Sequence, residues 1–264
     1  MTKAVLTISS KNYGAWALRG WLMAKLVELD FSEEVISPDD PAMRAEMLLL
    51  SSSIRVPALH HNGIEVWDTL AIAEYLHEIR PDAGLLPADP VARAHCRSIC
   101  GEMHSGFGAL RSSLPMNIKA RSPGFKVWSR AQVDIDRIST IWSECLFRYG
   151  GPYLFGARPG MADAMFAPVV TRFITYDVAL DPDCAAYCQT LLALPALQQW
   201  IEAAVAEPDE IDERDRLRAA ECGRDHHERG AAAVRGADGR DQPEEAERGQ
   251  KDRQRASRQP HARR

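Results

Sequence analysis

The sequence predicts an α/β domain followed by an all-helical one, and three observations predict it. Residues 4–80 alternate short strand-like apolar runs with stretches of helical period. Arg80-Pro81-Asp82-Ala83-Gly84-Leu85-Leu86-Pro87 is rich in proline and glycine and reads as a linker. Beyond it, apolar residues recur only at helical spacing. The expected division is an α/β domain over 1–80, a linker over 81–90, a helical domain over 91–213 and a charged tail over 214–264.

In chain order, Ala4-Val5-Leu6-Thr7-Ile8 is a buried-strand candidate. The polar loop Ser9 to Gly14 leads into a helix over Ala15 to Leu26, with Trp16, Leu18, Leu22 and Leu26 on one face and Arg19 and Lys25 on another. Phe31 to Ile36 is a second strand. Pro41 suits the first turn of a helix. Val56-Pro57 is a stiff, donor-free corner where a cis bond costs only about 0.5–1 kcal/mol. Ala58-Leu59 and Ile64-Glu65-Val66 flank His61-Asn62-Gly63, a turn able to take positive φ. Asp68-Thr69 opens a helix with Leu70, Ile72, Ala73 and Leu76 at a 3–4 spacing. The order βαβαββα is that of a thioredoxin-like sheet. It brings the Val56-Pro57 backbone beside a helix N-terminus, a place to hold an amino acid or short peptide.

In the second half, helices are expected over Val91 to Leu114, Phe125 to Tyr149, Ala164 to Tyr176 and Leu191 to Val205. Pro115 stops or kinks the first and Gly150-Gly151-Pro152 ends the second. Asp163 in Gly160-Met161-Ala162-Asp163 can face first-turn N–H groups, a folding role.

The bulk properties narrow the class. The chain has 264 residues, 45% hydrophobic and 26% charged, enough to bury a sizeable core. No apolar run approaches the roughly 18–20 residues that span a bilayer, and the first residues lack a signal-peptide core. Its six cysteines lack the CxxC clusters of a zinc site and read as helix-core thiols in a reducing, cytoplasmic setting. No metal is expected. The tail from Arg214 holds 14 Lys or Arg against 10 Asp or Glu, so the rest of the chain carries −9 of the net −5. The tail's acids are interspersed and it has no aromatics to stack on bases, so neither nucleic acid nor membrane is expected as a partner. Its few large aliphatics predict disorder.

These residues resemble the glutathione S-transferase family over about 1–210. The resemblance is carried by Val56-Pro57 with Asp68-Thr69-Leu70-Ala71-Ile72, and by Met161-Ala162-Asp163. The run from Ser9 through Arg19, and Glu102 to Phe107, are similar to the serine-type, zeta-like bacterial group near maleylacetoacetate isomerase. The resemblance implies a glutathione-transferase helical domain, a homodimer, and glutathione as co-substrate for a small electrophile in detoxification. A glutathione-dependent cis–trans isomerase of the maleylacetoacetate type and a non-catalytic binding module are the alternatives. A thiol–disulfide oxidoreductase is disfavoured, because the Ser9–Tyr13 loop has no cysteine.

A donor that hydrogen-bonds to sulfur at a helix N-terminus favours the thiolate. The resemblance implies that this donor comes from the Ser9–Tyr13 loop. Counted back from Trp16 and Arg19 without a gap, the family's serine falls on Asn12; a loop longer by two residues puts it on Ser10. Tyr13 and Ser9 are the other candidates. By the same resemblance the backbone at Val56, beside Pro57, pairs with the cysteinyl part. Asp68 suits the γ-glutamyl ammonium and Thr69 its carboxylate, while Arg55 could meet the glycyl carboxylate. The family pair is commonly Glu or Gln with Ser, so Asp68-Thr69 shortens the reach by one methylene. The second-substrate pocket is expected from Met103, His104, Phe107 and Arg111. Arg111 on an otherwise apolar stripe needs an anion or water.

Overall fold

The computed structural model describes residues 4–36 and 56–208. Four strands form one sheet in the order β2-β1-β3-β4. β1 (Ala4–Ile8) runs parallel to β2 (Phe31–Val35), and β3 (Ala58–His61) is antiparallel to both β1 and β4 (Ile64–Trp67). The β3–β4 hairpin turns at Asn62 and Gly63, both at positive φ; these are the residue types that accept the twist a two-residue turn demands. α1 (Ala15–Leu26) crosses between β1 and β2, and α2 (Thr69–Ile79) follows β4. The thioredoxin-like arrangement is as expected. The segment around Pro41, Arg55, Cys222 and the tail lie outside the described residues.

Six helices follow: α3 (Pro90–Ser105), α4 (Gly108–Ser113), α5 (Ser129–Tyr149), α6 (Met161–Thr175), α7 (Pro182–Leu192) and α8 (Pro195–Ala206). A single-turn 3-10 helix, Pro81–Ala83, sits in the expected linker. α6 is the hub. All its residues but Ile174 are buried, and α1, α3 and α7 pack on it. Cys96, Cys100, Cys145, Cys184 and Cys188 are buried, unpaired thiols in this helical core.

Three expectations are corrected. The helix expected over Val91 to Leu114 is two, because Gly106 is extended and Phe107 takes a left-handed φ of 59°. A Cβ on Gly106 would sit 2.7 Å from the Glu102 carbonyl oxygen, so the break needs glycine. The helix expected over Leu191 to Val205 is also two, since Pro195 opens α8 and the chain at Leu194 is extended. Most of α7 had no expected helix. Finally, α1 buries Ala15 and every residue from Ala17 to Ala24, Arg19 included. Arg19 faces no solvent because α6 packs against the side that the charge pattern assigned to water.

Candidate functional site

The site is built where the sheet's proline corner, the start of α1 and the start of α2 meet. Val56-Pro57 is cis and lies just before Ala58, the first paired residue of β3. Gly20 of α1 lies against this corner. A Cβ there would come 2.6 Å from Pro57 Cγ, so the helix approaches the proline as closely as it does only because the side chain is absent.

At α2, Asp68 is the N-cap: its Oδ1 accepts from the Leu70 N–H at 2.8 Å, with φ at 75°. Its Oδ2 lies 3.3 Å from His104 Nε2. Thr69 is buried at the first helical position, with Oγ1 3.4 Å from His104 Nδ1. His104, from the last turn of α3, thus spans both residues of the acid–hydroxyl pair. Its ring meets the edge of Trp16 at 4.9 Å between centroids. A carboxylate and a hydroxyl at the positive end of a helix pair an acceptor with a donor, suited to an amino acid's ammonium and carboxylate. That chemistry fits the γ-glutamyl end of glutathione.

The Ser9–Tyr13 loop is held by residues far from it in sequence. Glu207, just past α8, accepts from the Lys11 N–H at 2.6 Å and the Asn12 N–H at 3.1 Å, and from the Ser10 hydroxyl at 2.8 Å. Ser10 Oγ in turn accepts from Asn12 N–H and Tyr13 N–H. Trp200 Nε1 donates to the Lys11 carbonyl at 2.9 Å. Asn12 is buried, with Oδ1 accepting from the Lys119 N–H at 3.0 Å. Among the described residues, the Ser9 and Tyr13 hydroxyls have no hydrogen-bond partner. Ser9 Oγ points at the start of α1, where it would lie 2.6 Å from a Cβ on Gly14. Neither Glu207 nor Trp200 carried a sequence signal, since both act across more than 180 residues.

Of the residues expected in a second-substrate pocket, Met103 and Phe107 are buried in the core. His104 belongs with Asp68 and Thr69. Arg111 does not continue the stripe of α3. It lies on α4 and turns back so that Nη2 donates to the Met103 and His104 carbonyls at the end of α3. Backbone carbonyls and the Trp16 face, 5.0 Å from its Cζ, take part of the role that an anion or water was expected to fill. Burial lowers the pKa of Arg111, and the charge of Asp134 partly offsets this.

Asp163, at the start of α6, is fully buried. It accepts from the Gly160 N–H at 2.8 Å, the Leu154 N–H at 3.1 Å and the Tyr187 hydroxyl at 3.1 Å. Burial pushes its carboxyl up to about 6, against those donors. It ties helix, loop and α7 together, as a folding residue should. Among the described residues, no group of three or more His, Cys, Asp or Glu could hold a metal ion, and no helix is long and apolar enough to cross a membrane.

Two family models match this architecture. Residues 13–79 match the glutathione S-transferase N-terminal domain and residues 105–203 the glutathione S-transferase C-terminal domain. The maleylacetoacetate isomerase of Rattus norvegicus is 31% identical over 199 residues, covering 74% of this chain and 91% of that protein. The maleylacetoacetate isomerase of Pseudomonas aeruginosa is 28% identical over 169 residues, covering 61% and 71%. Among solved structures, a glutathione transferase homolog from Burkholderia with bound glutathione aligns at TM-score 0.59 and 24% identity, covering 77% of this chain and 98% of that one. A maleylacetoacetate isomerase from Anaeromyxobacter dehalogenans with bound glutathione aligns at 0.55 and 21%, covering 80% and 100%. At those identities the two structures speak for the fold. The chain belongs to the glutathione S-transferase family. Membership makes it a glutathione-dependent enzyme, with glutathione as co-substrate.

Proposed function

We propose that this enzyme binds glutathione between the Val56 backbone and the Asp68-Thr69 pair and holds its thiol, as the thiolate, at the Ser9–Tyr13 loop for attack on a small electrophile. The observation that carries the proposal is the Val56-Pro57 corner, next to β3, beside an α2 N-terminus where Asp68 caps the helix and His104 meets both Asp68 and Thr69. In this reading Asp68 takes the γ-glutamyl ammonium and Thr69 the carboxylate. Val56 pairs with the cysteinyl backbone, Arg55 meets the glycyl carboxylate, and His104 keeps the acid–hydroxyl pair in place.

For the thiol donor we favour Tyr13 or Ser9. The Ser10 proton is committed to Glu207, and Asn12 is buried with its carbonyl engaged. Ser10 becomes available only if Glu207 lets go. A hydroxyl donated to sulfur at the start of α1 stabilises the anion over the thiol. Single replacements Tyr13→Phe, Ser9→Ala and Ser10→Ala test this assignment. The true donor costs about 10²-fold in kcat/KM, and a fall confined to Ser10→Ala contradicts the assignment.

A second reading, glutathione-dependent cis–trans isomerisation of a maleylacetoacetate-type substrate, is supported by the names of the rat and Pseudomonas relatives. We further propose a cytoplasmic homodimer serving detoxification, which sedimentation at working concentration checks for its oligomeric part. Retention on immobilised glutathione together with conjugation of an electrophilic aromatic supports the main reading. Absence of binding at millimolar glutathione contradicts it. Turnover of maleylacetoacetate separates isomerase from general conjugation.

A further inference from the structure

From Lys11 to Ala15 every backbone N–H is already engaged. Lys11 N–H donates to Glu207 Oε1 at 2.6 Å, and Asn12 N–H donates to Glu207 Oε2 and to Ser10 Oγ, each at 3.1 Å. Tyr13 N–H donates to Ser10 Oγ at 3.3 Å, Gly14 N–H to the Ser10 carbonyl at 2.8 Å and Ala15 N–H to the Tyr13 carbonyl at 3.0 Å. Ser10 is thus the centre of the turn, and Glu207 sets its orientation. A serine hydroxyl has one proton and two lone pairs. Both lone pairs of Ser10 face loop N–H groups, so the proton has to leave in another direction, and it goes to Glu207 Oε2 at 2.8 Å.

Glu207 is itself anchored. It is the C-cap of α8, its N–H donates to the Ala203 carbonyl at 3.1 Å, and its carbonyl accepts from Lys119 Nζ. Trp200, earlier on α8, takes the other side of Lys11 by donating to its carbonyl, and its ring meets Trp21 of α1 at 5.3 Å. An ionised carboxylate accepts several bonds and donates none, which suits a position facing three donors. Two effects on a thiol at this loop then compete. The negative charge raises the thiol's pKa, and the order imposed on the donor hydroxyl lowers it. The charge acts weakly, because Glu207 is partly open to solvent and its carboxylate is bonded to three donors. The order is passed on directly, since Ser10 adjoins Ser9 and holds the Tyr13 N–H.

We propose that Glu207 is a positioning residue for thiol activation. Acting through Ser10, it fixes the Ser9–Tyr13 loop so that a hydroxyl of Tyr13 or Ser9, rather than a backbone N–H or Ser10 itself, serves the sulfur. Glu207 touches neither glutathione nor electrophile. The effect on sulfur rests on the glutathione-dependent reading above; the hold on the loop does not.

The test compares the full chain with Glu207→Ala and Glu207→Gln, by thiolate absorbance of the glutathione complex against pH and by steady-state conjugation. Both variants are expected to bind glutathione within about threefold of wild type, because the Asp68-Thr69 half-site is untouched, and to lose about tenfold in kcat as the bound thiol's ionisation rises by about one pH unit. A bound thiol that ionises in the variants at the wild-type pH or lower overturns the proposal, and so does a loss confined to glutathione affinity. Glu207→Gln keeps the side chain's size and decides the matter if Glu207→Ala fails to fold. Amide hydrogen exchange of residues 11–14, followed without glutathione, separates this proposal from the proposed function. The variants are expected to exchange about tenfold faster or more; unchanged exchange overturns the proposal. Faster exchange in the variants, with a wild-type protein that leaves the glutathione thiol as it is in solution, upholds the hold on the loop and places the failure in the proposed function.

Discussion

The two ends of α6 treat buried charge in opposite ways. At its N-terminus Asp163 is enclosed and answered by two N–H groups and a hydroxyl. At its C-terminal end Arg172 is nearly as enclosed, yet keeps an unpartnered Nε and faces other arginines rather than a carboxylate. Both suit the helix dipole, negative charge at the start and positive at the end. Only one is satisfied. A satisfied buried charge is a fold device; an unsatisfied one is a cost that binding can repay. The difference divides the helix into an end whose buried charge is answered and an end whose buried charge is not.

Asp163→Ala should have the largest effect. It leaves the Gly160 and Leu154 N–H groups and the Tyr187 hydroxyl without an acceptor, at about 3 kcal/mol or more in total. Urea denaturation measures it, and a loss below about 1 kcal/mol would erase the distinction between the two ends.

The pH dependence comes next. The Asp163 carboxyl titrates at about 6 in the folded protein, against about 3.9 when unfolded. The native state therefore holds this proton more tightly. The contribution is fully present below about pH 4 and is lost as pH rises through about 6, amounting to roughly 3 kcal/mol across that window. Stability curves of wild type and Asp163→Asn should diverge in slope there; parallel curves would count against the assignment.

At the other end the prediction is a sign. Arg172→Met should leave stability unchanged or raise it by about 1 kcal/mol or more, as replacing poorly paired buried charge often does. A destabilisation like that of Asp163→Ala would mean that Arg172 is as structural as its counterpart. The smallest effect is expected at the surface. Arg97 pairs with Glu74 through two hydrogen bonds, at 2.7 and 2.8 Å, between α3 and α2. Both side chains are well exposed, so Arg97→Ala should cost no more than about 1 kcal/mol and the difference should shrink in high salt.

The glutathione half-site was the most legible part of the sequence because its signals are local. Pro57, Asn62-Gly63 and Asp68 each fix backbone within a few residues, and the strand, turn and helix cap follow. The Asp163 motif was readable for the same reason. What escaped depends on distance. Arg19 was assigned to a polar face because charge is ordinarily exposed, and only the packing of α6 on α1 reverses that. Arg172 gave no signal in an apolar helix. Glu207 reaches a loop near the other end of the chain. The break at Gly106-Phe107 and the restart at Pro195 were visible as residue types, but unbroken apolar periodicity hid them.

The central claim, that this chain turns bound glutathione into a nucleophile at the Ser9–Tyr13 loop, is tested most directly by the pH dependence of thiolate absorbance in the protein–glutathione complex. The account predicts that the bound thiol ionises at a lower pH than free glutathione, and that replacing the donor hydroxyl abolishes the difference. Glutathione that binds but ionises as it does in free solution would contradict it.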